Sequence, residues 1–319
     1  MKRIATLLFF LPSWASACLW IHGTTLDGEA RRASGFMVDR ELRSVMGGRP
    51  LPLMDLRIID DGNANAADKM ETTAVEKVVN GDFHGAIADL ERLEQETPGK
   101  YTVAANLGTA YELAGNNEKA LKWISTGISR NADSHLGTEW LHEAILKAKL
   151  DAAKRPANSP MPRILTVPER MDKGTLIQVG GKNYNAEQVQ RALHYQLHER
   201  LAFVKPKDPY VADLLYSYAL IEANLGVVEG GVGLLSLARE YGFPDEALLS
   251  LHKERFESIL LFAQIRWWGI LTLSILLFIL FLYYLHRRKC FSLSFRFFLS
   301  SRDYKAHKEA LAKAKATKT

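Results

Sequence analysis

The chain has 319 residues, 47% hydrophobic and 24% charged, with 22 Gly, 11 Pro and two Cys. This balance excludes a disordered, collagenous or disulfide-stapled polypeptide. A net charge of +5 would suggest nucleic acid, but residues 18–265 carry 28 basic and 34 acidic side chains, whereas 286–319 carry ten Lys and Arg against Asp303 and Glu309. The basic excess belongs to a C-terminal tail, so nucleic acid is not an expected partner.

Residues 1–17 have the three parts of an export signal peptide: Lys2-Arg3, the apolar stretch 4–11, and Ala15-Ser16-Ala17 as a small-residue cleavage site. Cys18 follows the cut, where a lipoprotein signal also places cysteine, but Ala15 stands where such signals carry Leu. Lipidation of Cys18 is left open. Residues 18–69 form a mixed, Gly-containing N-terminal segment expected to pack on the first repeat.

Two later stretches align at an offset of 34: Gly81-Asp82 with Gly115-Asn116, Ala86-Ile87 with Ala120-Leu121, and Leu90 with Ile124. Pro98 closes the first at the position Ala132 takes in the second. Gly108 and Ala120 let paired helices approach, Leu107 and Tyr111 fill the gap to the next helix, and Gly115 supplies a turn where positive φ carries little penalty. On Leu107, Gly108, Tyr111, Gly115, Ala120 and Ile124, and on Gly81, Ala86 and Pro98 one unit earlier, the stretch 70–150 resembles the tetratricopeptide repeat family, whose unit is a helix–turn–helix of about 34 residues.

The resemblance implies an all-α fold of stacked hairpins, because one helix pair cannot bury its apolar face alone. It also implies a concave partner groove lined by the first helix of each unit. That groove would hold Thr102, Ala105, Thr109 and Glu112 from the second unit, and Glu139 and Glu143 from the third. Some family members hold a peptide's terminal carboxylate with Lys and Asn at such positions. Ala105 and Thr109 replace them here, so the expected groove is acidic and favours a basic or polar segment.

A third unit begins at 134–150 with Trp140, Leu141, Ala144, Ile145 and Leu146, but lacks the glycine. Residues 151–185 read as a linker, with Pro156, Pro160, Pro162 and Pro168 followed by a small β-hairpin at 175–184. Asn185 and Gln188 form a capping box opening a helix at 186–203. Residues 210–225, Gly226 and 228–241 repeat the helix–Gly–helix layout, so 186–265 is a divergent set of repeat-like helices whose last member leads towards an apolar run.

That run, 267–285, has 19 residues and, as a helix, a length of about 28 Å that matches a bilayer core. Trp267 and Trp268 stand at one end and Tyr283 and Tyr284 at the other, as interfacial belts do. Residues 266–286 are the predicted transmembrane helix, and Arg287-Arg288-Lys289 place the tail 287–319 in the cytoplasm. The expectation is a single-span protein of a bacterial inner membrane with its N-terminal region periplasmic or extracellular. Cys18 and Cys290 then lie on opposite sides, so the external region relies on packing. Phe291, Phe295, Phe298 and Leu299 among basic residues suit contact with anionic lipid.

His135, Glu139 and His142 stand at i, i+4 and i+7, a face that could offer zinc two imidazoles and a carboxylate, although Gly137 interrupts the helix beneath His135. Gly230-Gly231-Val232-Gly233 lacks the Lys-Ser/Thr of a phosphate loop, and no G-x-S-x-G elbow occurs. No catalytic residue and no cofactor are assigned. The expected function is a membrane-anchored protein–protein interaction scaffold or adaptor for an envelope complex. The alternative is an envelope enzyme, metal-dependent through His135, Glu139 and His142.

Overall fold

The computed structural model describes residues 21–33, 38–47, 65–156, 159–287, 308–310 and 312. Within them the chain is mostly helical, with two small antiparallel strand pairs. The expected export signal, Cys18, and Cys290 with the tail's Phe291, Phe295, Phe298 and Leu299 lie outside the described residues. The chain divides into two units, 1–263 and 264–319.

The first unit begins with paired strands β1 (Ile21–Thr24) and β2 (Ala30–Ala33), then helix α1 (Val38–Met46). Two hairpins follow: α2 (Ala66–Val79) with α3 (Phe83–Glu96), and α4 (Tyr101–Leu113) with α5 (Asn117–Arg130). Their turns are built alike. Gly81 and Gly115 both adopt φ +83°, open to glycine without a Cβ penalty. The next amides, Asp82 and Asn116, each donate 2.9 Å back to a helix-end carbonyl, of Lys77 and Tyr111 respectively. The same two side chains then cap the second helix, accepting from the amides of Gly85 and Lys119. A Cβ on Gly108 would strike the Ile124 side chain, so glycine is what allows α4 and α5 their close approach. Leu90, Leu93, Leu107 and Ile124 are buried in the resulting core, each contributing about 1.5–3 kcal/mol by leaving water.

A single left-handed turn, α6 (Ser134–Gly137), leads into α7 (Glu139–Ala153). Strands β3 (Leu176–Val179) and β4 (Lys182–Asn185) form the expected hairpin, with Gly180 at φ +57° and Gly181 at φ +82°, the conformation a tight two-residue turn demands. The capping box is present: Gln188 N donates to the Asn185 side chain and Asn185 N to the Gln188 side chain. It opens α8 (Ala186–Phe203), followed by α9 (Pro209–Leu225), α10 (Val228–Glu240) and α11 (Glu246–Arg287). Gly231 of α10 lies against α9, where a Cβ would come within 3.0 Å of the Ala219 carbonyl. Helices α7 to α10 share a second core with β3, β4 and α1.

Two segments pack differently from the expectation. Of 18–69, β1 and α1 dock not on the first hairpin but on α8 and α10. Leu42 and Val45 of α1 are buried in the second core, Thr24 donates through both N and Oγ1 to Glu229, and Arg43 pairs with Glu240 at 2.9 Å. Gly233 admits Asp39 where any side chain would collide with it. The proline-rich stretch is likewise no free linker: Ile164 and Leu165 are buried, and the Ile164 amide donates 2.8 Å to the fully buried Asp213 of α9. Extended, proline-set backbone is what lets it run over a helix without competing hydrogen bonds.

In the second unit, the part of α11 from 264 onward carries exposed Trp267, Trp268, Leu273, Phe278, Leu280 and Tyr283. Within Glu246–Leu285 mean hydropathy reaches 2.2 over an 18-residue stretch, and the helix is long and apolar enough to cross a membrane.

Candidate functional site

The densest chemistry lies between α4, α7 and α8. Glu112, near the end of α4, is only 6% exposed at its side chain and accepts from three cationic groups. Arg200 of α8 grips it with both guanidinium nitrogens at 2.8 and 3.2 Å, Lys149 Nζ donates at 2.7 Å, and His142 Nε2 lies 2.6 Å away. The forked arginine geometry gives direction as well as strength. Glu139, at the first turn of α7, is the second anchor. His135 Nδ1 meets its Oε1 at 2.5 Å, His142 Nδ1 stands 3.6 Å from its Oε2, and Gln196 of α8 donates at 3.5 Å.

Burial opposes the charge on both carboxylates, yet their cations win. Arg200 and His142 hold Glu112 well below the usual carboxylate range, and His135 and His142 depress Glu139. Burial and Arg200 push His142 down, but Glu112 and Glu139 raise it overall; His135 is raised by Glu139 against its own burial. Glu199, half-buried beside them, is pushed up by desolvation. A network of this kind contributes little net stability while intact, and breaking one partner is expensive because it strands buried charge.

The expected groove residues therefore divide. Glu112 and Glu139 do face the α4–α7 surface, but α8 of the same chain covers them. The acidic charge that was to favour a basic segment is met internally by Arg200. Glu143 sits on the flank of α7 instead, accepting from Ser125 of α5 at 2.9 Å and pairing with Lys147. Its helix turns it some 40° per turn away from Glu139, enough to reach a different neighbour. Ala105 is buried, while Thr102 and Thr109 are half-buried.

His135, Glu139 and His142 do converge, though not along one helix face. His135 precedes α7, in the left-handed run His135 (φ 50°), Leu136 (φ 59°) and Gly137 (φ 68°). That turn lays its ring on Tyr195 of α8, centroids 5.6 Å apart. His142 Nε2 faces Glu112, which Arg200 and Lys149 also meet, and its Nδ1 faces Glu139, which His135 also meets, so the trio is part of an ion-pair network.

The glycine run lies inside α10, where Gly231 faces α9 and Gly233 faces α1, so packing accounts for it. A cleft of about 720 Å³ lies between the β1–β2 turn and residues 170–175; its Arg170 pairs with Asp27 at 3.0 Å, and its Arg31 donates to the Leu225 and Gly226 carbonyls. Arg200 and Lys149 were missed from sequence. The only signal was a row of residues on α8, Gln196 and Arg200, four apart on one face. Among known proteins, no family model, no curated protein and no solved structure matches the chain.

Proposed function

We propose that the region preceding the apolar part of α11 is a protein-interaction scaffold of tetratricopeptide type. In this reading α11 anchors it in a bacterial inner membrane, with that region in the periplasm and the basic tail in the cytoplasm. One observation carries the reading: hairpins α2–α3 and α4–α5, offset by 34 residues, repeat the same glycine φ, the same turn-closing bonds and the same Asx caps. Units of this kind need stacked neighbours and generate extended surfaces that take partners. The clustered cations after the span support the orientation.

Helix α8 acts, on this reading, as an internal occupant of the groove. Partners then use the surface it leaves, around Thr102, Thr109 and Glu143, and the protein serves as an adaptor for an envelope complex. Proximity labelling from the full-length chain tests this. A Thr102→Arg, Thr109→Arg double variant is expected to lose a discrete set of labelled neighbours while keeping its helicity and membrane association. An unchanged neighbour set in a folded variant sinks the groove.

A further inference from the structure

Outside the Glu112 network, α8 carries His194 and His198, one turn apart and on one side of the helix. Helix α1 brings Glu41 against them. Glu41 Oε1 stands 3.1 Å from His198 Nε2 and 3.8 Å from His194 Nε2, and the ligand atoms of all three lie within 4.8 Å of one another. In a tetrahedral zinc shell with bonds of about 2.0–2.1 Å, neighbouring donor atoms are about 3.3 Å apart. The observed separations bracket that value.

A second observation points the same way. The His198 side chain is fully buried, and its Nε2 has no hydrogen-bond partner. Its other nitrogen, Nδ1, lies 2.9 Å from the His194 carbonyl oxygen. A carbonyl only accepts, so Nδ1 carries a proton, and a neutral ring with that tautomer presents Nε2 as a bare lone pair. That lone pair faces a carboxylate oxygen of half-exposed Glu41, which is also an acceptor, and two acceptors 3.1 Å apart repel unless a metal ion or a proton lies between them. His194 is prepared similarly, with Nδ1 3.2 Å from the Tyr218 hydroxyl and Nε2 turned to Glu41. Anchoring one imidazole nitrogen so that the other is presented is how proteins orient metal-binding histidines. Burial, reinforced by the neighbouring His198, lowers the His194 pKa and keeps the ring in its ligand form.

We propose that Glu41, His194 and His198 bind a divalent transition-metal ion of the zinc type. His194 and Glu41 are 32% and 38% exposed at their side chains, so the ion reaches the site from solvent and water completes its shell. The ion ties α1 to α8, the helix that covers the α4–α7 face. This site stands apart from the His135, Glu139 and His142 trio, and it does not depend on the scaffold reading.

The test uses tag-free full-length protein in detergent, stripped with a chelator and titrated with Zn²⁺, with Co²⁺ as a spectroscopic probe of coordination geometry. The expected result is one ion per chain, a melting temperature that rises with metal and falls with chelator, and visible absorption typical of four-coordinate cobalt. Glu41→Gln and His194→Ala, both at partly exposed positions, are expected to weaken binding by at least about tenfold with helicity unchanged. His84→Ala, at an exposed histidine outside the cluster, is expected to leave it unaltered. A proton on His198 paired with Glu41 is the competing occupant. Absence of stoichiometric binding at micromolar metal, or binding equal in wild type, Glu41→Gln and His194→Ala, overturns the proposal in favour of that ion pair.

Discussion

Glu112 takes donors from Arg200, Lys149 and His142 at once, so neutralising it removes the counter-charge that the three share. Glu112→Gln is expected to cost about 3–5 kcal/mol in urea unfolding, whereas a Glu112→Leu, Arg200→Leu pair, which removes both charges, is expected to cost clearly less. Equal losses would mean that packing, not charge, holds α8 in place. His142 sets a pH signature. Its folded pKa lies above the ordinary 6.5, so the stability it adds is complete below pH 6.5 and is lost as pH rises through the raised value. Glu112 and Glu139 are depressed below 4.5, so their contribution is present above that value and is lost as pH falls through their folded values. The stability difference between wild type and His142→Gln is therefore expected to be largest between pH 4.5 and 6.5 and to shrink on either side. A difference that grows above pH 7 would contradict the assigned ion pairs. Glu112, Glu139 and His142 could be picked out from sequence as a polar face. Arg200 could not, because α8 carries polar residues on several faces and the row of Gln196 and Arg200 does not say which element it will meet.

At the scale of elements, the repeated turns are the most readable feature. Gly115→Ala forces an L-residue into φ +83° and is expected to cost about 1–2 kcal/mol, with Asn116→Ala adding about 1 kcal/mol for the lost cap. The opposite sign is expected at Leu136, where an exposed leucine sits at φ 59°. Leu136→Gly relieves that conformation and is expected to stabilise the chain by about 1 kcal/mol in thermal or urea unfolding. Destabilisation there would show that the turn gains more from the leucine than its backbone costs. The hairpins, the β3–β4 turn and the capping box were legible because each is fixed by a few adjacent residues: a glycine at the left-handed position, an Asx side chain over three amides, a period of apolar residues. The docking of α1 was not. Leu42 and Val45 mark an inward face, but nothing in nine residues says which core will receive it.

For the whole molecule, the apolar part of α11 is the feature on which the proposed membrane anchoring rests. Deleting 267–285 is expected to move the protein from the membrane to the soluble fraction. In a Cys18→Ser, Leu136→Cys chain, an impermeant thiol reagent applied from the periplasmic side is expected to label position 136, which is 79% exposed, while Cys290 reacts only after the membrane is permeabilised. The reverse pattern would invert the topology and with it the proposed site of action.

The amino-acid order alone determined the helical hairpins, their caps, the apolar run and the split of charge between residues 18–265 and the tail, since hydrogen-bond periods and local side-chain patterns act over one or two turns. Tertiary structure alone decided that α8 lies over the acidic face, that Arg200 meets Glu112 across 88 positions of chain, and that Glu41 joins His194 and His198. Whether a carboxylate lines an open groove, closes an ion pair or offers itself to a metal depends on what packs against it. That is settled by burial and desolvation between distant segments, which no local pattern encodes.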